Sequence, residues 1–124
     1  MRLEETVRKR KSVRSYEPVH LNEEDRKRVE RLIEEAERGP CPFEGEVRIR
    51  LLASGGEAGN GKLGTYGVIR GAKDFLCVTA EDTVTAMEAV GYRFEKLVLK
   101  ATELGLGTCW LAGTFNREQF SEAL

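Results

Sequence analysis

The sequence is poor in the residues that build metal sites and hydrolytic triads. Its 124 residues include a single histidine, His20, and three cysteines that form no CxxC pair, Cys41, Cys77 and Cys109. An odd number of distant cysteines argues against a disulfide framework, and the single histidine argues against a structural zinc site. A serine triad would need His20 as its base, but His20 lies in a connection before a predicted helix, where a solvated loop residue is the simpler interpretation.

Long apolar runs and a dominant charge are also missing. No apolar run approaches the roughly 20 residues that cross a bilayer, and the first residues lack the apolar core of a signal peptide, so we expect a soluble cytoplasmic protein with no membrane partner. Twenty Lys and Arg against 21 Asp and Glu leave a formal net charge of −1, which disfavours nucleic-acid binding. The length and the 40% hydrophobic content suit one domain over residues 1–124.

Hydrophobic periodicity and capping residues predict helices alternating with strands. We expect helices over about 3–11, from Asn22 to Gly39, over about 82–104 and after Asn116, and strands over 46–51, 74–79 and 108–112. The continuous apolar run 75–78 suits a strand covered on both faces. The helix over 82–104 is apolar on nearly every side, which fits packing on both the sheet and a partner subunit, or complete cover by its own chain. Because the final helix lacks a C-cap, we expect the N-terminal part of a longer protein.

A glycine-rich stretch imitates two nucleotide-binding motifs. Residues 59–64 fit GxGxxG, and residues 56–63 fit GxxxxGK but place Leu63 where a hydroxyl should hold magnesium. In either motif the phosphate rests on the N-terminus of the following helix, and the glycines and β-branched residues of 65–71 disfavour such a helix. We interpret this stretch as a surface loop.

Two other segments carry candidate binding chemistry. The cation-rich residues 8–14 leave the first helix, and in extended chain Ser12 and Arg14 point to one side, where Arg10 can converge with them on an anion. The simpler alternative is a solvated cluster that complements the helix dipole. The glycines that border stretch 104–113 allow its backbone to approach a ligand closely, and Trp110 then offers the ligand a flat apolar face. Alternatively, the glycines turn the chain from a helix into a strand, and Trp110 belongs to the core.

Four ordered motifs together resemble the FMN-dependent nitroreductase family, in particular a branch built from rearranged segments. They are RKSVRSY at 10–16, GTYGVIRGA at 64–72, GYRFEKLVL at 91–99 and GLGTCW at 105–110. The resemblance implies an α+β fold, a mainly antiparallel sheet flanked by helices with a long central helix, here incomplete. It also implies a homodimer that forms through that helix.

The resemblance further implies an oxidoreductase with bound FMN. Such enzymes pass a hydride from NADH or NADPH through flavin N5 to a nitroaromatic, quinone or similar small-molecule acceptor. By position, Arg10 and Ser12 correspond to residues at the FMN phosphate and ribityl chain, and Arg14 to one near the N1–C2=O edge. The rest of the cofactor site corresponds to Trp110 and Leu111 on one flavin face, and to the backbone of Ala112 and Gly113 facing N5 and O4.

One departure from the family pattern keeps a second function open. Where many members carry a Pro-Ser-x-x-Asn-x-Gln-Pro-Trp segment that contacts the flavin, this chain has RGPCPF at 38–43. The alternative is therefore a truncated or degenerate nitroreductase-like domain that acts only in dimerisation or partner docking, without bound flavin.

Overall fold

The computed structural model describes residues 2–53 and 69–111. These residues form an α+β structure of three helices and one two-stranded antiparallel sheet, which confirms the predicted fold class. In chain order the elements are α1 (Leu3–Lys9), α2 (Glu23–Arg38), β1 (Val47–Ala53), β2 (Asp74–Ala80) and α3 (Val84–Glu103). The glycine-rich stretch and the predicted helix after Asn116 lie outside the described residues.

Capping side chains fix where α2 and α3 begin. The side chain of Asn22 accepts a hydrogen bond from the backbone N–H of Asp25 at 2.8 Å, as the sequence predicts. Thr83 does the same for Ala86 at 3.2 Å, so α3 starts at Val84, two residues later than expected. α1 ends at Lys9 because Arg10 already has extended backbone, with φ −61° and ψ 130°.

β1 and β2 pair over their whole length. The register runs from Val47 opposite Ala80 to Ala53 opposite Asp74. Both strands extend one or two residues beyond the predicted ends, because pairing and not hydrophobicity sets their limits. β2 is only half-buried along most of its length, so the expectation that it is covered on both faces is wrong for the described structure.

The core lies between the helices and one face of the sheet. Its fully buried members come from α2, β1 and α3: Val29, Ile33, Val47, Ile49, Ala89, Phe94 and Leu97. On α1, the apolar residues Leu3 and Val7 are exposed, and the buried residue is Thr6, whose hydroxyl lies 3.3 Å from Glu103 Oε1. Among the described residues, no helix has the combined length and apolarity needed to cross a membrane.

Arg93 closes the C-terminal end of α2. Arg93 Nη1 donates to the carbonyls of Ala36 at 2.8 Å and Gly39 at 2.7 Å. Its Nε is buried and has no hydrogen-bond partner among the described residues. A cation from α3 therefore satisfies carbonyls that α2 leaves unpaired at its negative end.

Replacing Arg93 with methionine should destabilise the fold by about 2 kcal/mol, because two carbonyls lose a charged donor while most of the side-chain packing is kept. Chemical denaturation of the two proteins measures this difference. Lys100→Met is the matched control, since Lys100 is exposed on the same helix and its loss should cost under about 0.5 kcal/mol. Equal losses for the two variants would contradict the assigned role.

Candidate functional site

The cationic N-terminal segment and the glycine-bordered turn lie side by side. Ser12 and Thr108 form a parallel β-bridge, and the backbone N–H of Val13 donates to the carbonyl of Thr108 at 2.8 Å. Gly107 permits this approach, since a Cβ at that position would lie 3.1 Å from two carbon atoms of the Val13 side chain. A strand is predicted over 108–112; among its described residues, 108–111, the structure has only this bridge at Thr108.

Thr108 orients the first of the candidate cations. Arg10 Nε donates to Thr108 Oγ1 at 3.2 Å, and Arg10 Nη2 lies 3.5 Å from the Thr108 carbonyl oxygen. Arg10 is half-buried, whereas Ser12 and Arg14 are exposed. The sequence analysis did not select Thr108. The feature that could have pointed to it is a hydroxyl residue next to a glycine, within the glycine-bordered stretch 104–113 that was already a candidate.

A further arginine reaches the other edge of the same segment. Arg70 N donates to the Arg14 carbonyl at 2.8 Å, and its own carbonyl accepts from Tyr16 N at 2.8 Å. Gly71 follows with φ +80°, and a Cβ there would clash with the Tyr16 carbonyl. Arg70 is exposed and forms a parallel bridge with Ser15, so its backbone borders the segment that carries the candidate cations, a neighbour that the sequence alone did not place there.

Trp110 is fixed against α3. Its ring packs edge-on against Phe94 with centroids 5.0 Å apart, and its Nε1 donates to Glu95 Oε1 at 3.2 Å. The side chain is still 40% exposed, so the ring packs against α3 on one side and leaves part of its surface accessible to a ligand or solvent. Leu111 is half-buried, while Ala112 and Gly113 lie outside the described residues.

A cleft of about 590 Å³ lies beside the turn. Its lining comes from β2, from residues 106–111, from the N-terminal segment at Tyr16 and from Phe94, Val98 and Ala101 of α3. Trp110 and Leu111 line the cleft, whereas Arg10, Ser12 and Arg14 do not. The structure thus brings the cations to the segment whose Trp110 and Leu111 border the apolar cleft.

Asp74 ties the connection before α2 to the start of β2. One carboxylate oxygen accepts from Leu21 N at 2.6 Å, and the other lies 3.2 Å from His20 Nδ1 and 3.7 Å from Arg26 Nη2. Because Leu21 and Asp74 both line the cleft, this carboxylate holds one of its walls in place. His20 is exposed, as expected of a loop residue, but its ring also contacts the carboxylate of Asp74, which no sequence pattern singles out.

Two groups in the cleft have shifted pKa values. Burial raises the pKa of Cys77 to about 11, which keeps its thiol protonated at neutral pH. Burial, and then the nearby Cys109, raise the pKa of Tyr16 above its ordinary value against the opposing effect of Arg10 and Arg14. Within the described residues, no cluster of His, Cys, Asp or Glu could hold a metal ion.

The Cys77 thiol should react slowly with iodoacetamide because only its thiolate is nucleophilic. In a Cys41→Ser, Cys109→Ser background, labelling of the folded protein at pH 8 should be about a hundredfold slower than in urea, and should rise about tenfold per pH unit up to pH 10. A rate that levels off near pH 9 in the folded protein would contradict the raised pKa.

A family model described as "Putative TM nitroreductase" matches residues 2–124. The match spans almost the whole chain, so the chain belongs to this family, and the resemblance found from the four motifs is confirmed. At the level of the family, the chain is a nitroreductase-like oxidoreductase. Neither the curated proteins nor the solved structures compared with the chain contain a match.

Proposed function

We propose that the protein is a cytoplasmic FMN-dependent oxidoreductase that transfers a hydride from NAD(P)H to a nitroaromatic, quinone or similar acceptor. The observation that carries the proposal is the bridge between Ser12 and Thr108, which joins the cationic segment to the tryptophan turn in a member of the nitroreductase family. Had these two segments lain apart, one cofactor could not contact both.

The residues present fit the two ends of an FMN molecule. Arg10, held by Thr108, and exposed Ser12 offer a guanidinium and a hydroxyl for the phosphate and its adjoining polyol, and exposed Arg14 offers a second guanidinium for the ring. Trp110 and Leu111 offer apolar surface at the edge of the cleft for a ring system. Ala112 and Gly113 complete the proposed site as backbone donors.

FMN, when bound, would supply the hydride chemistry at its N5 atom. The chain would supply position and electrostatic field. The Arg14 guanidinium would stabilise negative charge at the N1–C2=O edge, and Trp110, locked by Phe94 and Glu95, would contact one face of the ring. Neither role needs a side chain that transfers a proton, which agrees with the single, peripheral histidine.

Titration of the purified protein with FMN tests the proposal directly. Binding should perturb the visible spectrum and quench the fluorescence of the flavin, and the complex should oxidise NADH or NADPH when an acceptor is supplied. An unchanged flavin spectrum and fluorescence with the protein in hundredfold excess over FMN would overturn the proposal.

Arg14→Ala should weaken FMN binding at least tenfold, because it removes a charge-assisted contact of roughly 1.5–3 kcal/mol. The Arg14 carbonyl, which accepts from Arg70 N, is unaffected by this change. The matched control is Lys11→Ala, which removes an equally exposed cation from the other side of the extended segment. Fluorescence titration gives both dissociation constants, and equal losses would argue against the assigned geometry.

Dimerisation is supported by a separate observation on α3. Val84 and Met87 lie one turn apart on one face of this helix and are 77% and 48% exposed. Exposed apolar side chains on one face are typical of a surface that another subunit covers. We propose that this face forms a homodimer interface. The same interface is what the alternative function requires, namely a nitroreductase-like domain that dimerises or docks to a partner without bound flavin.

Met87→Glu should raise the dimer dissociation constant about a hundredfold or more, because each subunit would then bury an unpaired carboxylate in an apolar interface. Sedimentation velocity across a range of concentrations measures the shift. Thr85→Glu is the control, since it adds the same charge to another face of the same turn. A Met87→Glu protein that associates like the parent would exclude this face as the interface.

A further inference from the structure

The guanidinium of Arg10 is held along one of its edges. Its Nε donates to Thr108 Oγ1 at 3.2 Å, and Nη2, which lies on the same edge as the Nε–H, is 3.5 Å from the Thr108 carbonyl oxygen. A guanidinium carries its N–H donors in a planar fork. With Thr108 on one edge, the edge formed by Nη1 and Nη2 is the one that can meet two oxygens of an anion side by side.

Both residues of this contact are anchored by their backbones. Arg10 N donates to the Thr6 carbonyl at 2.9 Å, and the Thr108 carbonyl accepts from Val13 N at 2.8 Å. Arg10 is also half-buried, whereas Arg14 is exposed. A long side chain loses rotamer freedom when a ligand immobilises it, and this loss opposes binding. For Arg10 part of that loss has already occurred on folding, so an anion meets a side chain that is in place.

The β-bridge brings a hydroxyl beside the same guanidinium. Ser12 and Thr108 are the paired residues of this bridge. Paired residues present their side chains to the same face of the ladder, so the Ser12 hydroxyl lies on the face where the Thr108 hydroxyl holds Arg10. Arg10 and Ser12 are the residues that the proposed function assigns to the phosphate and polyol of FMN. Thr108 thus contacts one of these residues and is paired with the other.

We propose that Thr108 is a positioning residue that makes the site select FMN over riboflavin, the same flavin without its phosphate. The inference rests on the proposed function, because it takes Arg10 as the contact of the flavin phosphate. Riboflavin shares the ring system and the polyol, so Trp110, Leu111 and Ser12 would contact both ligands alike. Only the phosphate uses the free edge of Arg10. A guanidinium fixed by Thr108 therefore strengthens the binding of one ligand and not of the other.

Thr108→Val tests this role, because it removes the hydroxyl and keeps a β-branched side chain of similar size. Fluorescence titration should show an FMN dissociation constant raised about fivefold, since Arg10 must then be immobilised by the ligand. The dissociation constant for riboflavin should change less than about twofold, because no contact of that ligand depends on Arg10. The matched control is Thr108→Ser, which keeps the hydroxyl and should bind FMN like the parent.

A second measurement needs no flavin. In isotope-labelled protein studied by NMR, the Nε–H proton of Arg10 should exchange with water more slowly than that of Arg14, because it is hydrogen-bonded and half-buried. Thr108→Val should abolish this protection, and Thr108→Ser should keep it. Equal exchange of the two arginines in the parent protein would overturn the positioning role.

Several binding results would also overturn the inference while leaving flavin binding, and so the proposed function, intact. Unchanged FMN binding by Thr108→Val would exclude the role, and equal weakening of both flavins would mean that Thr108 only supports the fold. Equal weakening by Thr108→Ser would assign the effect to the lost methyl group. Tighter FMN binding would mean that Thr108 holds the guanidinium away from the phosphate.

The two proposals fail in different ways. A parent protein that binds FMN and riboflavin equally well would overturn the selection of the phosphate and leave a flavin site in place. A parent protein that binds neither flavin would overturn the proposed function and this inference together.

Discussion

The hydrogen bond from Val13 to Thr108 is the contact on which the arrangement of the site depends. It joins the first segment of the chain to the segment after α3, two regions that are far apart in sequence. Closing so large a loop costs conformational entropy, which the helices and the sheet must offset by placing both ends on the same side of α3. Gly107 makes the final approach possible, because any side chain there would press on Val13. Arg10 then adds a bond to the same threonine.

Local features of the fold were predictable from the sequence, and long-range ones were not. Asn22 and the periodic apolar residues after it predicted α2 correctly, because an N-cap and an amphipathic stripe depend only on residues that are close together in the sequence. The alternation at 46–51 likewise predicted β1. The start of α3 was misplaced by two residues because Asp82 and Thr83 are both acceptable caps, and only the structure shows that Thr83 is used. In α1, Leu3 and Val7 are exposed and Thr6 is buried, because a seven-residue helix buries little of its surface.

In the candidate site, too, local features were predictable from the sequence and long-range contacts were not. Arginines and a glycine-bordered tryptophan could be selected from the sequence because their chemistry is carried by residue type, and the family match agrees with the motifs that contain them. Thr108 and Asp74 could not be selected, since their partners, Arg10 and Val13 for Thr108 and Leu21 for Asp74, lie in distant segments. A threonine and an aspartate with such partners look like ordinary surface residues until the chain is folded. Polar residues that join distant segments therefore form the part of the site that periodicity and motifs do not report.

The packing of α2 on the sheet has a consequence for how this sheet can grow, because the carboxylate of Glu37 in α2 accepts a hydrogen bond from Ile49 N at 2.8 Å. A sheet with two exposed edges can add chains on both sides without limit, which is the geometry of fibrils and of aggregation. Here the Ile49 amide is already occupied by a side chain from the neighbouring helix, in the middle of β1. A chain that paired along this edge would have to displace the Glu37 carboxylate, so the helix that packs on the sheet also guards its edge.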